Sequence, residues 1–185
     1  EGMRRRSEAS LDAGGLSVAL VSAEDIFLFK SVAGRTDDIE DMFALVADVE
    51  RYPEFVPLCE RLKVRGRSEK DGNEVLVADM TAAYKMFRET FTSRVTLDHG
   101  NLEILVEYLD GPFRHLENRW RFKDLSESSS EIDFHLEYEF RRRSLQLLMG
   151  AMFDSAFSRF ADAFERRADA IYGRRGRKRA DAPSA

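Results

Sequence analysis

Glu89 is the residue in this chain best placed to act on a bound molecule. Phe87 and Phe91 flank it at spacing two, the alternation by which a strand turns side chains to one face. Ser93 continues that row, and Asn118 stands between Leu116 and Trp120 on a second apolar row. A carboxylate on an apolar face needs a hydrogen-bond partner, a rim position open to water or a raised pKa. Two readings stay open: Glu89 ends a strand and sees water, or it is a polar handle for the headgroup of a ligand in an otherwise apolar pocket. Other chemistry is poorly supplied. The sequence has no Gly-rich phosphate loop and no Ser or Cys nucleophile motif with an evident base, and Glu89 has no evident acid/base partner. Cys59 is the single cysteine, which excludes an internal disulfide and reads as a small buried hydrophobe. With only His99, His115 and His135 to join it, no usual zinc spacing exists. No catalytic residue, metal or resident cofactor is expected.

The elements that must hold these residues show first in hydrophobic periodicity. Residues 26–32 read as a strand. Thr36-Asp37-Asp38 supplies N-cap chemistry, and Ile39, Met42, Val46 and Val49 then fall on one helix face. Tyr52-Pro53 starts a second, short helix, which Pro57 cuts or bends. From Leu62 the period changes to two. A weak strand over 62–69 leads to an Asp71-Gly72 hairpin turn. Alternating rows follow at 74–82, 86–97, 102–108, 116–123 and 131–140, with turns at His99-Gly100-Asn101 and Asp110-Gly111-Pro112. One face of each row is apolar and the other charged. That predicts an antiparallel meander whose outer face is solvated and carries cross-strand ion pairs rather than a site. Ser144 can cap a final helix over 145–172, with Phe153, Phe157, Phe160 and Phe164 in its apolar stripe. One apolar sheet face and one apolar helix stripe should pack together. The expected fold is α+β: a helix-grip (START/Bet v 1-like) arrangement with two short helices and a curved antiparallel sheet wrapped around a long C-terminal helix.

Such an interior is first of all a core. Its aromatic load, and the flexible Met80, Met149 and Met152, also suit an adaptable cavity. Charge divides the chain. Of 185 residues, 34% are charged and the net charge is −5, yet residues 166–185 carry +5 and the remainder −10. An acidic body argues against a body-wide nucleic-acid surface. The expected organisation is a flexible N-terminal arm or appended remnant over 1–24, a domain over 25–173, and a basic disordered tail over 174–185. The tail could contact anionic lipid or RNA. Arg4-Arg5-Arg6 ahead of Leu16–Val21 only faintly resembles a secretory signal, because Glu8 and Asp12 interrupt it. With no apolar run of membrane-spanning length and one cysteine, a soluble cytoplasmic protein is expected, with peripheral contact at the inner membrane through the tail.

Residues Phe43-Ala-Leu-Val-Ala-Asp-Val-Glu-Arg-Tyr-Pro-Glu-Phe-Val-Pro-Leu-Cys59 resemble the signature of the coenzyme Q-binding START-like family. That family overlaps the bacterial ribosome association toxins (RatA) and the broader polyketide cyclase/dehydrase superfamily. Phe91-Thr-Ser-Arg-Val95, Gly111-Pro-Phe-Arg-His-Leu116, Trp120-Arg-Phe122 and the Phe-rich last helix match further, so the resemblance spans about residues 26–172. It implies a hydrophobic tunnel for ubiquinone or another polyprenyl lipid and a supporting role in respiration as a lipid chaperone. On that reading Phe87, Phe91, Trp120, Phe134, Phe153, Phe157 and Phe160 line the tunnel. Phe55, Val56 and Pro57 form its mouth, and Glu89 or Asn118 meets the headgroup. A pocket of roughly 300–1,000 Å³ cannot enclose a very long tail, so part of it must protrude. Two rivals stand beside this: a toxin that blocks ribosomal subunit joining, supported only by the basic tail, and a polyketide cyclase or aromatase, which would need an acid/base pair in the cavity.

Overall fold

The computed structural model describes residues 10–13, 16–21, 26–33, 37–84, 87–126, 129–145, 147, 159–160, 162–164, 166–168 and 170–172. In chain order the elements are β1 (Ser10–Ala13), β2 (Leu16–Val21), β3 (Ile26–Ala33), α1 (Asp37–Ala47), a 3-10 turn (Val49–Arg51), α2 (Tyr52–Phe55), β4 (Cys59–Lys70), β5 (Asn73–Tyr84), β6 (Phe87–Asp98), β7 (Glu103–Asp110), β8 (Phe113–Ser126) and β9 (Ser129–Phe140). Helical residues follow at 143–145, 147, 159–160, 162–164, 166–168 and 170–172. The strands make one sheet in the order β1-β2-β3-β9-β8-β7-β6-β5-β4, every pair antiparallel. β4 to β9 are a plain meander. β3 returns beside β9, with Phe27 opposite Leu136. The connection from β3 to the far edge at β4 carries α1 and α2 and packs them on the inner face, the helix-grip arrangement.

Local chemistry explains the joints. Asp71 and Gly72 both have positive φ, 54° and 82°, as a type I′ hairpin requires. The turn after β6 is held by Asp98, whose two carboxylate oxygens accept from the Asn101 backbone N–H at 2.9 Å and its side-chain N–H at 2.8 Å. α2 stops at Phe55 because Val56 precedes a proline and is extended, ψ 120°. The inner face of the sheet buries Leu76, Val95, Leu97, Ile104 and Phe122 against Ile39, Phe43 and Val46 of α1. Full burial of each such side chain contributes about 1.5–3 kcal/mol. The outer face carries the expected cross-strand ion pairs Arg65–Asp79 at 2.6 Å and Arg121–Glu103 at 3.2 Å, while Arg119 pairs along its own strand with Glu117 at 3.0 Å.

Within residues 1–24, read from the sequence as a flexible arm or appended remnant, 10–13 and 16–21 are strands that extend the sheet beyond β3. Without them β3 would present an open edge, which favours recruitment of a nearby strand-forming run such as Leu16–Val21. β4 is also longer than the weak strand over 62–69. A bulge between Val64 and Gly66 resets its alternation and masks its length in the sequence. The basic tail, residues 174–185, lies outside the described residues.

Candidate functional site: an apolar cavity under the helices

The concave face of the sheet, the segment Tyr52–Leu58 and the helical residues Leu145 and Phe160 enclose a cavity of about 340 Å³. Its origin lies in side-chain size. β5 puts Ala78 and Ala82 on the inner face on either side of Met80, and β6 puts Ser93 between Phe91 and Val95. Small residues at these places leave unfilled the space that a packed core would close. The aromatic wall holds its shape by edge and tilted contacts: Trp120 with Phe134 at 4.4 Å, with Phe160 at 6.1 Å and with Phe164 at 5.8 Å between ring centroids.

Polar groups in the lining are few and specifically placed. Trp120 Nε1 donates to Asn118 Oδ1 at 2.8 Å, and Asn118 Nδ2 donates to the His135 carbonyl at 3.4 Å. The amide is thereby oriented, with one N–H beyond those two bonds. Ser93 is buried on β6, beyond β7 from Asn118. The Tyr52 hydroxyl donates to the Val46 carbonyl at 2.6 Å. Burial, reinforced by nearby Cys59 and Asp48, pushes its pKa far up, so it remains a neutral donor that ties α2 to α1. Glu89 is at the rim, its side chain 35% exposed, with Arg142 Nη1 3.8 Å away. The rim alternative therefore describes Glu89, which is partly exposed beside Arg142 and still lines the cavity.

Of the expected site residues, Val56, Pro57, Phe87, Glu89, Phe91, Asn118, Trp120, Phe134 and Phe160 all line this cavity. Phe55 does not. It turns away from the mouth to pack edge-on against Phe164 at 5.1 Å, and the Arg167 guanidinium covers its ring at 5.3 Å while donating to Glu54 at 2.8 Å. A single-turn helix gives too little periodicity to tell which of its faces turns inward. Phe153 and Phe157, like Met149 and Met152, lie outside the described residues. Sequence reasoning missed Leu58, Tyr84, Pro112 and Leu145 as lining residues. For Tyr84 the signal was present, because it follows Ala78, Met80 and Ala82 on one alternation. Among the described residues no group of three or more His, Cys, Asp or Glu side chains could hold a metal ion. No described helix is long and apolar enough to cross a membrane.

Comparison with known proteins gives the same architecture an ancestry. Residues 38–165 match the family described as polyketide cyclase / dehydrase and lipid transport. The chain belongs to this family. Within it, the chain is similar to a ribosome association toxin RatA of Vibrio cholerae, 37% identical over 134 residues, covering 72% of this chain and 90% of the toxin. It is also similar to the mitochondrial coenzyme Q-binding protein COQ10 homolog B of Xenopus laevis, 34% identical over 140 residues, covering 74% of this chain and 55% of that protein. Among solved structures, the 18 kDa protein CC1736 of Caulobacter crescentus superposes with a TM-score of 0.67 and 29% identity, over 80% of this chain and 99% of that one. A polyketide cyclase/dehydrase and lipid transport family member with an apolar cavity and few polar lining groups is built to hold a hydrophobic molecule. The two relatives cited are named as a toxin and as a binding protein.

Proposed function

We propose that the chain binds ubiquinone or a related polyprenyl lipid in this cavity and acts as its carrier in support of respiration. The observation that carries the reading is the cavity itself: apolar on nearly every side, with Asn118 fixed in its wall and offering one N–H. Similarity to a protein named for coenzyme Q binding supports the choice of ligand. The physics is favourable. Each buried methylene contributes about 0.8 kcal/mol, so a ring and a few isoprene units bind usefully with a single oriented hydrogen bond. At about 340 Å³ the cavity is at the small end of ligand pockets, so part of a long tail would protrude from it. The test is organic extraction of the purified chain followed by mass spectrometry, with titration by a short-tailed ubiquinone. Co-purified quinone or prenyl lipid and saturable binding are expected. Repeated absence of both overturns the reading.

A second reading is favoured by the similarity to proteins named ribosome association toxins: the chain hinders the joining of ribosomal subunits. The outer sheet face offers it little, since arginines there are matched by acids across or along the strands. Sucrose-gradient profiles after overexpression decide it. A loss of joined ribosomes supports this second reading, and an unchanged profile counts against it.

A further inference from the structure

We infer that the end of the sheet at which the cavity opens is a docking surface for an anionic phospholipid bilayer. Strand pairing brings this end together: Tyr84 faces Phe87, Phe113 faces Phe140, and Glu89 is near Arg142. The segment after β9 is laid across it, because the Arg141 backbone N–H donates to the Pro112 carbonyl at 2.9 Å and its Nε to the Phe113 carbonyl at 2.7 Å. Four large hydrophobic residues are exposed among those described, and three of them are here: Leu147 at 69%, Leu109 at 42% and Phe87 at 37%. Leu147 stands two residues after Leu145, which lines the cavity.

Exposed apolar side chains beside a cavity mouth suit insertion into the headgroup boundary, and adjacent basic residues select anionic lipid. Charge at this end has the right sign. Arg88 pairs with Glu60, Arg114 with Glu139 and Arg142 with Glu89. Arg141 and Arg143 are also exposed here, on a body whose residues 1–165 are net acidic. Arginine also keeps its head at phosphate level while its stem crosses apolar surface. Docked in this pose, the cavity opens directly into lipid. The proposal concerns the surface around the mouth and holds for whichever apolar ligand the cavity takes.

The experiment is flotation of the full-length chain with phosphatidylcholine vesicles, with and without phosphatidylglycerol, at low and raised salt. Binding is expected only with the anionic lipid and should weaken as salt rises. R143Q should lower vesicle affinity about fivefold, the share of one arginine near an anionic surface. L147S should lower it about tenfold through lost apolar insertion. In L147W, quenching of tryptophan emission by brominated lipid should exceed that of the parent, whose sole tryptophan, Trp120, lies in the cavity wall. Circular dichroism separates these effects from unfolding. Three results overturn the proposal: equal binding to neutral vesicles, loss of binding only when the arginines at 174–179 are neutralised, or R143Q and L147S chains that lose binding to ribosomal particles while keeping it to vesicles. Each readout is free of added quinone, so failure here leaves the ligand reading standing, and the reverse holds too.

Discussion

Gly111 offers the sharpest test of how the cavity mouth is built. Its φ is 134°, a conformation open to glycine and strained for any other residue. A Cβ added there would lie 2.7 Å from Phe91 Cβ, 2.9 Å from Phe91 Cα and 2.9 Å from the Thr90 carbonyl oxygen. Two of these three neighbours are backbone, so no side-chain rotation relieves the overlap; β6 itself would have to move. The backbone conformation alone costs about 1–3 kcal/mol, and overpacking adds a further ~1–3 kcal/mol. We expect G111A to lose about 3 kcal/mol, which at a urea slope of ~2 kcal/mol/M lowers the unfolding midpoint by about 1.5 M. Equilibrium unfolding followed by circular dichroism and tryptophan emission measures it. G66A is the control: nothing lies within 4 Å of its added Cβ, and it should stay within about 0.5 kcal/mol of the parent. A G111A midpoint that matches the parent's refutes the close approach of the 110–113 turn to β6 and the mouth geometry with it.

Three further outcomes follow from the same structure. N118L should destabilise the ligand-free chain by about 1–3 kcal/mol, because it leaves the buried Trp120 indole N–H without its acceptor; thermal and urea unfolding report it. Desolvation alone would raise the Asp79 pKa, but bonds from Thr92 and Arg65 outweigh it and hold the carboxyl below its ordinary value. A carboxylate lowered on folding contributes stability above its unfolded pKa, near about 4, and loses that contribution as pH falls through the folded value. D79N should therefore show a shallower loss of urea midpoint between neutral pH and pH about 3 than the parent. Burial pushes the Cys59 thiol up to about 11, so a disulfide reagent at pH about 8 should modify it slowly in the folded chain and rapidly in urea; fast labelling of the native chain refutes the burial.

Much of this was legible from residue order, for identifiable reasons. The rows in β5 to β9 alternate cleanly because each strand has one wet and one apolar face, and Asp71-Gly72 carries its own turn chemistry. Glu89 and Asn118 were visible as polar interruptions of those rows. What alternation could not show is where an interruption sits along the strand, and so whether it is a rim group such as Glu89 or a wall group such as Asn118. The bond from Trp120 to Asn118 needs the strand's actual twist, although both residues lie on one face. Phe55 was misplaced because α2 is a single turn whose orientation is set by Arg167, more than a hundred residues away. β1 and β2 were missed because their pairing to β3 answers an edge that exists only once the sheet has formed.

The tryptophan in the cavity wall has a use beyond packing. It is the chain's sole tryptophan, so its emission can be assigned without ambiguity. Trp120 borders the cavity and has Asn118 as its hydrogen-bond acceptor. A redox-active quinone ring brought against it would extinguish its light, whereas a saturated chain of equal size would only shift the colour. The protein thus carries its own optical gauge of occupancy, able to tell a quinone ring in the pocket from a lipid tail.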